Sequence, residues 1–359
     1  MIPHKEDRLL NVGVLGCGPI AQFAHLQACQ KARNAGLYAI CDVAEDLVNR
    51  LAVYYAPEKV YNDYKTMLSD PKLEAVIIAT ADAFHVEAAR MALEAGKHVL
   101  VEKPLGIDIE ACESLLNCLE GTGLCIQVAH MKRFDPGIAF ARQFIEQEMG
   151  DLVALKAWYC DSSERYAATD SLHPVHLVSK KSRKPTENPK ADLERYYMLA
   201  HGSHLLDTAF FLAGSIRSVK ANLVQKEDIY SWFIDTEFAN GCNGHLDLTV
   251  AIRADWHEGF HIYGTRGSVF AKTYNPRYYK ASEVHCYSAQ NKKYIKPLNN
   301  DANFYKLQLE GFADHILYGK PQTGTSLKEG IQVVRAMVAI AKSVRENRQV
   351  SLAEVKGKV

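Results

Sequence analysis

The 359-residue sequence has no excess of charge of either sign: Lys+Arg and Asp+Glu both total 42. Such a balance offers no basic surface for nucleic acid or for a bilayer, so neither is expected as a partner. There is no run of about 18 apolar residues, and the opening Met-Ile-Pro-His-Lys-Glu-Asp-Arg has acidic residues and no apolar core. Neither a membrane span nor a secretory signal is therefore expected, and a cytoplasmic setting is. None of the nine cysteines forms a C-x-x-C pair, and Cys17, Cys41 and Cys125 fall in apolar, strand-like contexts, as small buried residues do in a reducing compartment. The fourteen histidines include no H-E-x-x-H, so no metal centre is expected.

What the chain does have is length for two domains and a pattern concentrated in residues 11–42. Asn11-Val-Gly-Val-Leu-Gly-Cys-Gly-Pro-Ile-Ala21 runs an apolar strand into a glycine turn, and Ala-Ile-Cys-Asp42 closes a second strand on a carboxylate. Gly16 and Gly18, with Pro19 and Ile20, form a turn tight enough for backbone N–H groups to approach a pyrophosphate at the following helix N-terminus. Ala21 keeps the third position small. Asp42 is placed to accept hydrogen bonds from a ribose 2′-hydroxyl, and Val43-Ala44 supply no cation for a 2′-phosphate, so NAD is favoured over NADP.

Beyond Asp42, helical and strand patterns alternate, which implies a parallel sheet. Leu73–Thr80 is apolar enough to be buried on both faces. Thr80, Asp82 and His85 leave its carboxyl end, where a ligand lies in such sheets; Thr80 and Asp82 are either cofactor contacts or caps of the next helix. Gly96–Val101 is a helix stop and a short strand, which delivers Glu102-Lys103-Pro104 to the same edge. Leu124–Ala129 is a further strand, followed by His130 and Arg133. A helix over 136–148 then leads to a hinge at Gly150-Asp151. Past it, the segments 152–160, 218–225, 232–238, 244–252, 259–263 and 268–273 read as strands without long helices between them, the sign of an antiparallel sheet. The polar, Pro-punctuated stretch 161–195 reads as a loop that covers a substrate.

Gly16-Cys-Gly-Pro-Ile-Ala21, Ala95-Gly-Lys-His-Val-Leu-Val-Glu-Lys-Pro104 and Ile262-Tyr-Gly-Thr-Arg-Gly-Ser268 together resemble the Gfo/Idh/MocA family of nicotinamide-dependent sugar and polyol oxidoreductases. The resemblance implies an N-terminal Rossmann domain (1–150), doubly wound on a parallel sheet. It implies a C-terminal α/β domain (151–359) on a large, mostly antiparallel open sheet, with closing helices near 303–347 that pack back on the first domain. It also implies a homodimer or homotetramer formed through that sheet. Glu102 and Lys103 are then expected at the cofactor beside Gly16, Gly18, Pro19, Ile20, Asp42, Thr80, Asp82, His85 and Arg133.

The segment Tyr196-Tyr-Met-Leu-Ala-His-Gly-Ser-His-Leu-Leu-Asp207 resembles the family's Asp-x-Gly-x-His-x-x-Asp, with His204 as the acid/base. Ala200, however, stands where many relatives carry an aspartate. His201, three residues before His204, is a candidate substitute, and with Asp207 the two histidines share one face if the helix already includes His201. The expected reaction passes a hydride between NAD and a secondary hydroxyl or carbonyl of a sugar, glycoside or polyol. Lys103 polarises the oxygen in that reaction, and His130, Tyr166, His176, Tyr197, His201 and His204 surround the substrate. Two other readings stay open: a redox-neutral enzyme with tightly held NAD, and a non-catalytic NAD/sugar-binding regulator.

Overall fold

The computed structural model describes residues 8–162, 173, 175–183, 185–186 and 189–359. The chain divides into two compact units. The first comprises residues up to Met131 together with His173–Ala191 and Asn303–Gly330; the second comprises Lys132–Leu172, Asp192–Ala302 and Ile331–Val359. The helix Pro136–Glu148 belongs to the second unit, which thus starts before the Gly150-Asp151 turn, and the helix Phe304–Tyr318 belongs to the first.

The first unit is built on β1 (Leu10–Leu15), β2 (Ala35–Cys41), β3 (Lys59–Tyr61), β4 (Ala75–Ile78), β5 (His98–Val101) and β6 (Ile126–Val128), all parallel in the order β6-β5-β4-β1-β2-β3. The two-residue strand Thr325–Ser326 adds antiparallel to β6. The order reverses between β1 and β4, so the loops leaving their carboxyl ends splay apart and leave a crevice. β4 reads Ala-Val-Ile-Ile and every residue of it is buried, as expected of a strand covered on both faces. Aspartates start several helices by accepting a hydrogen bond from a backbone N–H: Asp63 from Thr66, Asp108 from Ala111.

The second unit's sheet is formed by β7 (Leu152–Ser162), β8 (Ile216–Lys226), β9 (Ile229–Phe238), β10 (Asn243–Ile252), β11 (His257–Gly264), β12 (Gly267–Thr273), β13 (Glu283–Ser288) and β14 (Lys293–Ile295). Its order is β14-β13-β12-β11-β7-β10-β9-β8, with Val350–Ser351 on β8, and every pairing is antiparallel except β7 with β10. The six strands read from sequence are all present. The shorter β13 and β14 and the two-residue edge strands are too brief to show a period. Alternation along β7 assigns Tyr159 and Asp161 to the face that packs on the helix Ser203–Ala213, and Lys156 and Trp158 to the other.

Two turns depart from regular helix close to the candidate site residues. After the glycine turn, Ala21–His25 is a π-helical turn in which Leu26 N–H reaches back to the Ala21 carbonyl. A second π turn, Met198–Gly202, precedes Ser203–Ala213. The extra residue in that turn disrupts the even three-residue spacing assumed for His201, His204 and Asp207.

Candidate active site

In the first unit, the ends of β1, β2 and β4 open into a cleft of about 790 Å³, within the size range of ligand pockets. Gly16 is left-handed (φ 85°) and a Cβ there would meet the Ala79 carbonyl oxygen at 2.8 Å, so the turn tolerates no side chain. A Cβ on Gly18, which lines the cleft, would meet nothing within 4 Å, so the protein itself does not require a glycine there. Asp42 is fixed by backbone donors, Cys17 N–H to Oδ2 (2.8 Å) and Ala44 N–H to Oδ1 (2.9 Å). Both oxygens retain lone pairs for further hydroxyl donors. Among the described residues, the buried Thr80 Oγ1 has no hydrogen-bond partner, a position that a ligand in the cleft could fill. The residues present therefore fit a dinucleotide.

The outer wall of this cleft comes from far along the chain. Leu177, Val178, Ser179, Ser182 and Arg183 line it together with the glycine turn and Asp42.

The Glu-Lys-Pro turn after β5 is braced from inside. Glu102 is buried and its Oε1 pairs with His25 Nε2 at 2.8 Å, while Oε2 accepts Lys103 N–H at 3.0 Å. Burial opposes ionisation of Glu102, but the His25 hydrogen bond and the charges of His25 and Lys103 more than offset it and hold the carboxyl below its ordinary value. His85 is also buried; Nδ1 lies 2.8 Å from the Pro104 carbonyl oxygen and Nε2 3.1 Å from that of Thr80, so its ring ties the β4 loop to the lysine turn. Lys103 itself is half-buried at the tip.

In the second unit, aromatic and charged groups gather on the covered face of β7. The His204 ring lies parallel to that of Tyr159, centroids 6.0 Å apart, and His201 lies 5.7 Å from the same ring. His201 Nδ1 is 3.1 Å from Asp161 Oδ2 and 3.5 Å from the Tyr159 hydroxyl. Asp161 is buried, and its carboxylate lies within hydrogen-bond reach of the His201 ring at Nδ1. Lys132 packs its ammonium over Tyr159 (4.4 Å) and Trp256 (5.3 Å) and pairs with buried Glu258. Burial pulls the Lys132 amine down, against the opposing pull of Glu258, Asp135 and Asp161. Arg133 grips Asp207 with Nε (3.1 and 3.0 Å) and a terminal nitrogen (2.7 Å), both side chains being out of solvent.

Residues 10–130 match the family described as "Oxidoreductase family, NAD-binding Rossmann fold", and residues 197–352 match "Oxidoreductase family, C-terminal alpha/beta domain". The chain belongs to the Gfo/Idh/MocA family. It is thus an NAD-binding oxidoreductase. The myo-inositol 2-dehydrogenase of Thermotoga maritima is 23% identical over 360 residues, 97% of this chain and 100% of that one. The scyllo-inositol 2-dehydrogenase (NAD(+)) of Bacillus subtilis is 24% identical over 362 residues, 96% of this chain and 97% of that one. A levoglucosan dehydrogenase solved in complex with NADH superposes with a TM-score of 0.78 at 22% identity, covering 97% of this chain and 100% of that one. That last likeness concerns the fold.

Within this family, the sequence-derived residues sort by place. Gly16, Gly18, Pro19, Ile20, Asp42 and Thr80 line one cleft. Neither Thr80 nor Asp82 caps the helix after β4, whose start has no side-chain cap. Glu102 and His85 are buried as braces, and His130 is buried after β6. His176 lies in the first unit, lining a small pocket with Phe23, Tyr54 and Tyr55. Tyr197 contacts His201 (5.9 Å) and Tyr230 (5.5 Å). Arg133 is engaged by Asp207, and Tyr166 lies outside the described residues. The stretch expected to cover a substrate lies, from 177 to 183, along the dinucleotide cleft. Sequence reasoning missed His25, Tyr159, Asp161, Lys132, Glu258 and Trp256. Asp161 had a legible signal, a carboxylate on the covered face of a strand otherwise apolar there; the others are meaningful only through contacts distant in sequence. Among the described residues no cluster of His, Cys, Asp and Glu suits a metal ion, and no helix is long and apolar enough to cross a membrane.

Proposed function

We propose that the protein oxidises a secondary hydroxyl of a sugar, glycoside or polyol, or reduces the corresponding carbonyl, with Lys103 holding the reacting oxygen and His204 exchanging its proton. The two roles are carried over from the family motif onto residues this chain retains, and the substrate class follows the inositol and levoglucosan dehydrogenases it resembles. The observation that carries the reading is the Asp161–His201 pair beside the Tyr159–His204 stack. A carboxylate from β7 thus reaches His201 rather than His204, and in this reading it restores beside the acid/base the negative charge missing at Ala200. Bound NAD supplies the hydride acceptor. His204 takes the hydroxyl proton, the Lys103 ammonium stabilises the developing charge on oxygen by on the order of 3 kcal/mol, and the Asp161 carboxylate faces the His201 ring.

The anchored Asp42 supports NAD over NADP; Asp42→Ala should narrow the ratio of their affinities, and an unchanged ratio would count against the ribose contact. The deciding experiment is absorbance at 340 nm with NAD and a panel of polyols, free sugars and glycosides, together with nucleotide analysis of denatured protein. A substrate-dependent rise supports the dehydrogenase, and Lys103→Met should then lower kcat on the order of 10²-fold. The wall at 177–183 favours one alternative, a redox-neutral enzyme that retains its NAD, and predicts stoichiometric nucleotide released on denaturation without any rise.

We also propose a cytoplasmic setting, in keeping with nine free thiols, and self-association through the outer sheet face. There Trp158 contacts His257 and His261, Phe270 contacts His261, and Phe233 is half exposed. Light scattering on the purified protein reads dimer, tetramer or monomer directly.

A further inference from the structure

The glycine-turn pattern accounts for one side of the dinucleotide cleft and says nothing of the other. That side is a segment inserted between β7 and the helix Ser203–Ala213, and it is tied down at three places. The side-chain amide of Gln22 treats Leu177 as a strand neighbour would: Leu177 N–H donates to Oε1 and Nε2 donates to the Leu177 carbonyl, each at 2.9 Å. The same Nε2 donates to the Cys17 carbonyl in the glycine turn (2.8 Å), so one buried side chain couples the turn to the segment. Further along, Ser179 Oγ donates to Asp46 Oδ1 (2.7 Å) and Arg50 donates to the Val178 carbonyl (3.2 Å). At the far end the Arg183 guanidinium lies 4.5 Å over the Phe84 ring, on the loop after β4. Residues 177–183 thus run from the β1 side of the crevice to the β4 side.

We propose that 177–183 is a strap that retains the dinucleotide, with Arg183 as a cofactor-binding residue, so that cofactor exchange requires the strap to lift. The inference rests on the family's dinucleotide occupying this cleft. Charge supports it: Lys65 and Arg183 are the basic residues among those lining the cleft, so the strap supplies one of the two cations available there to an anionic ligand. Hydrophobic cover supports it too. Val178 lines the cleft yet is 72% exposed, and a ligand filling the cleft would cover it. The mid-strap bonds, from Ser179 and Arg50, are exposed and easily opened, whereas a ligand that touches both strap and cleft adds interactions that break only on release.

The test uses the full-length protein and NADH, needing no substrate. Release is followed by stopped-flow fluorescence on chasing bound NADH with excess NAD, in wild type, Gln22→Ala and Arg183→Ala. Loss of two neutral hydrogen bonds to the strap predicts release about 30-fold faster in Gln22→Ala. Arg183→Ala removes no support from the glycine turn and should also release faster. In parallel, wild type is digested with trypsin, for which Lys180, Lys181 and Arg183 are sites, and saturating NADH should slow cleavage there. NADH binding with unchanged release in both variants and unchanged cleavage would overturn the strap alone. Failure of the wild type to bind NADH would overturn the cofactor reading along with it.

Discussion

Asp207 invites a catalytic role by its position three residues after His204, yet its geometry is that of a structural partner. Its carboxylate accepts three hydrogen bonds from Arg133, and the two side chains are 1% and 4% exposed. The Phe211 ring, one helical turn further on, lies with its centroid 5.0 Å from the same guanidinium. Removing one member of such a pair strands the other charge in a low-dielectric pocket, which costs about 3–5 kcal/mol. For a unit of this size each kcal/mol moves the midpoint by about 2–4 °C, so Asp207→Ala should lower Tm by about 6–20 °C. Replacing both charges with apolar residues of similar volume, Arg133→Met with Asp207→Leu, removes the stranded charge and should recover stability to within about 2 kcal/mol of wild type. Thermal and urea unfolding by circular dichroism measure all three. A Tm within about 4 °C of wild type for Asp207→Ala, or a double variant as unstable as the single, would refute the structural assignment. Loss of turnover in a stably folded Asp207→Ala would return Asp207 to the chemistry.

Once a substrate gives a rate, Asp161→Asn should lower kcat by about 10–100-fold with little change in Tm, and His201→Ala should add nothing to it; additive losses would mean the two residues act separately. Gly18→Ala should fold normally but weaken NADH binding, whereas Gly16→Ala, forced left-handed against the Ala79 carbonyl, should destabilise the fold by about 1–3 kcal/mol; equal stability of the two variants would contradict the turn geometry. Hydrogen bonds from Tyr61, Tyr38 and Lys72 N–H hold the Asp70 carboxyl at about 2. Its folded value lies below the unfolded one, so its stabilisation is full above about pH 4 and fades as pH falls toward 2. Urea midpoints between pH 5 and 2.5 should therefore fall less steeply in Asp70→Asn than in wild type, and parallel curves would refute the coupling. Burial and the same two bonds push the Tyr38 and Tyr61 hydroxyls up to about 12, so their contribution fades as pH rises from about 10 toward 12.

Most of what depends on neighbours in the chain was legible in the sequence, the π turns at Ala21–His25 and Met198–Gly202 being the local exceptions. The apolar run of β4, the alternation along β7, the Gly16–Gly18 turn and the arrival of Asp42 at the end of β2 follow from local sequence, because a tight turn and the side-chain period of a strand are properties of the backbone. The same locality makes Glu102-Lys103-Pro104 readable as a charged turn at a strand end. Which charges meet, by contrast, is settled by the tertiary fold. Glu102 pairs with His25, 77 positions away; Arg133 with Asp207, 74 away; Gln22 with Leu177, 155 away. Ala200 looked like a vacancy in a linear motif, and only the juxtaposition of β7 with the π turn at Met198–Gly202 brings Asp161 to His201. The physical reason is that an ion pair or hydrogen bond depends on distance and burial, not on separation along the chain. The chain supplies the groups, and the packing of sheet against helix determines which of them share a dry pocket.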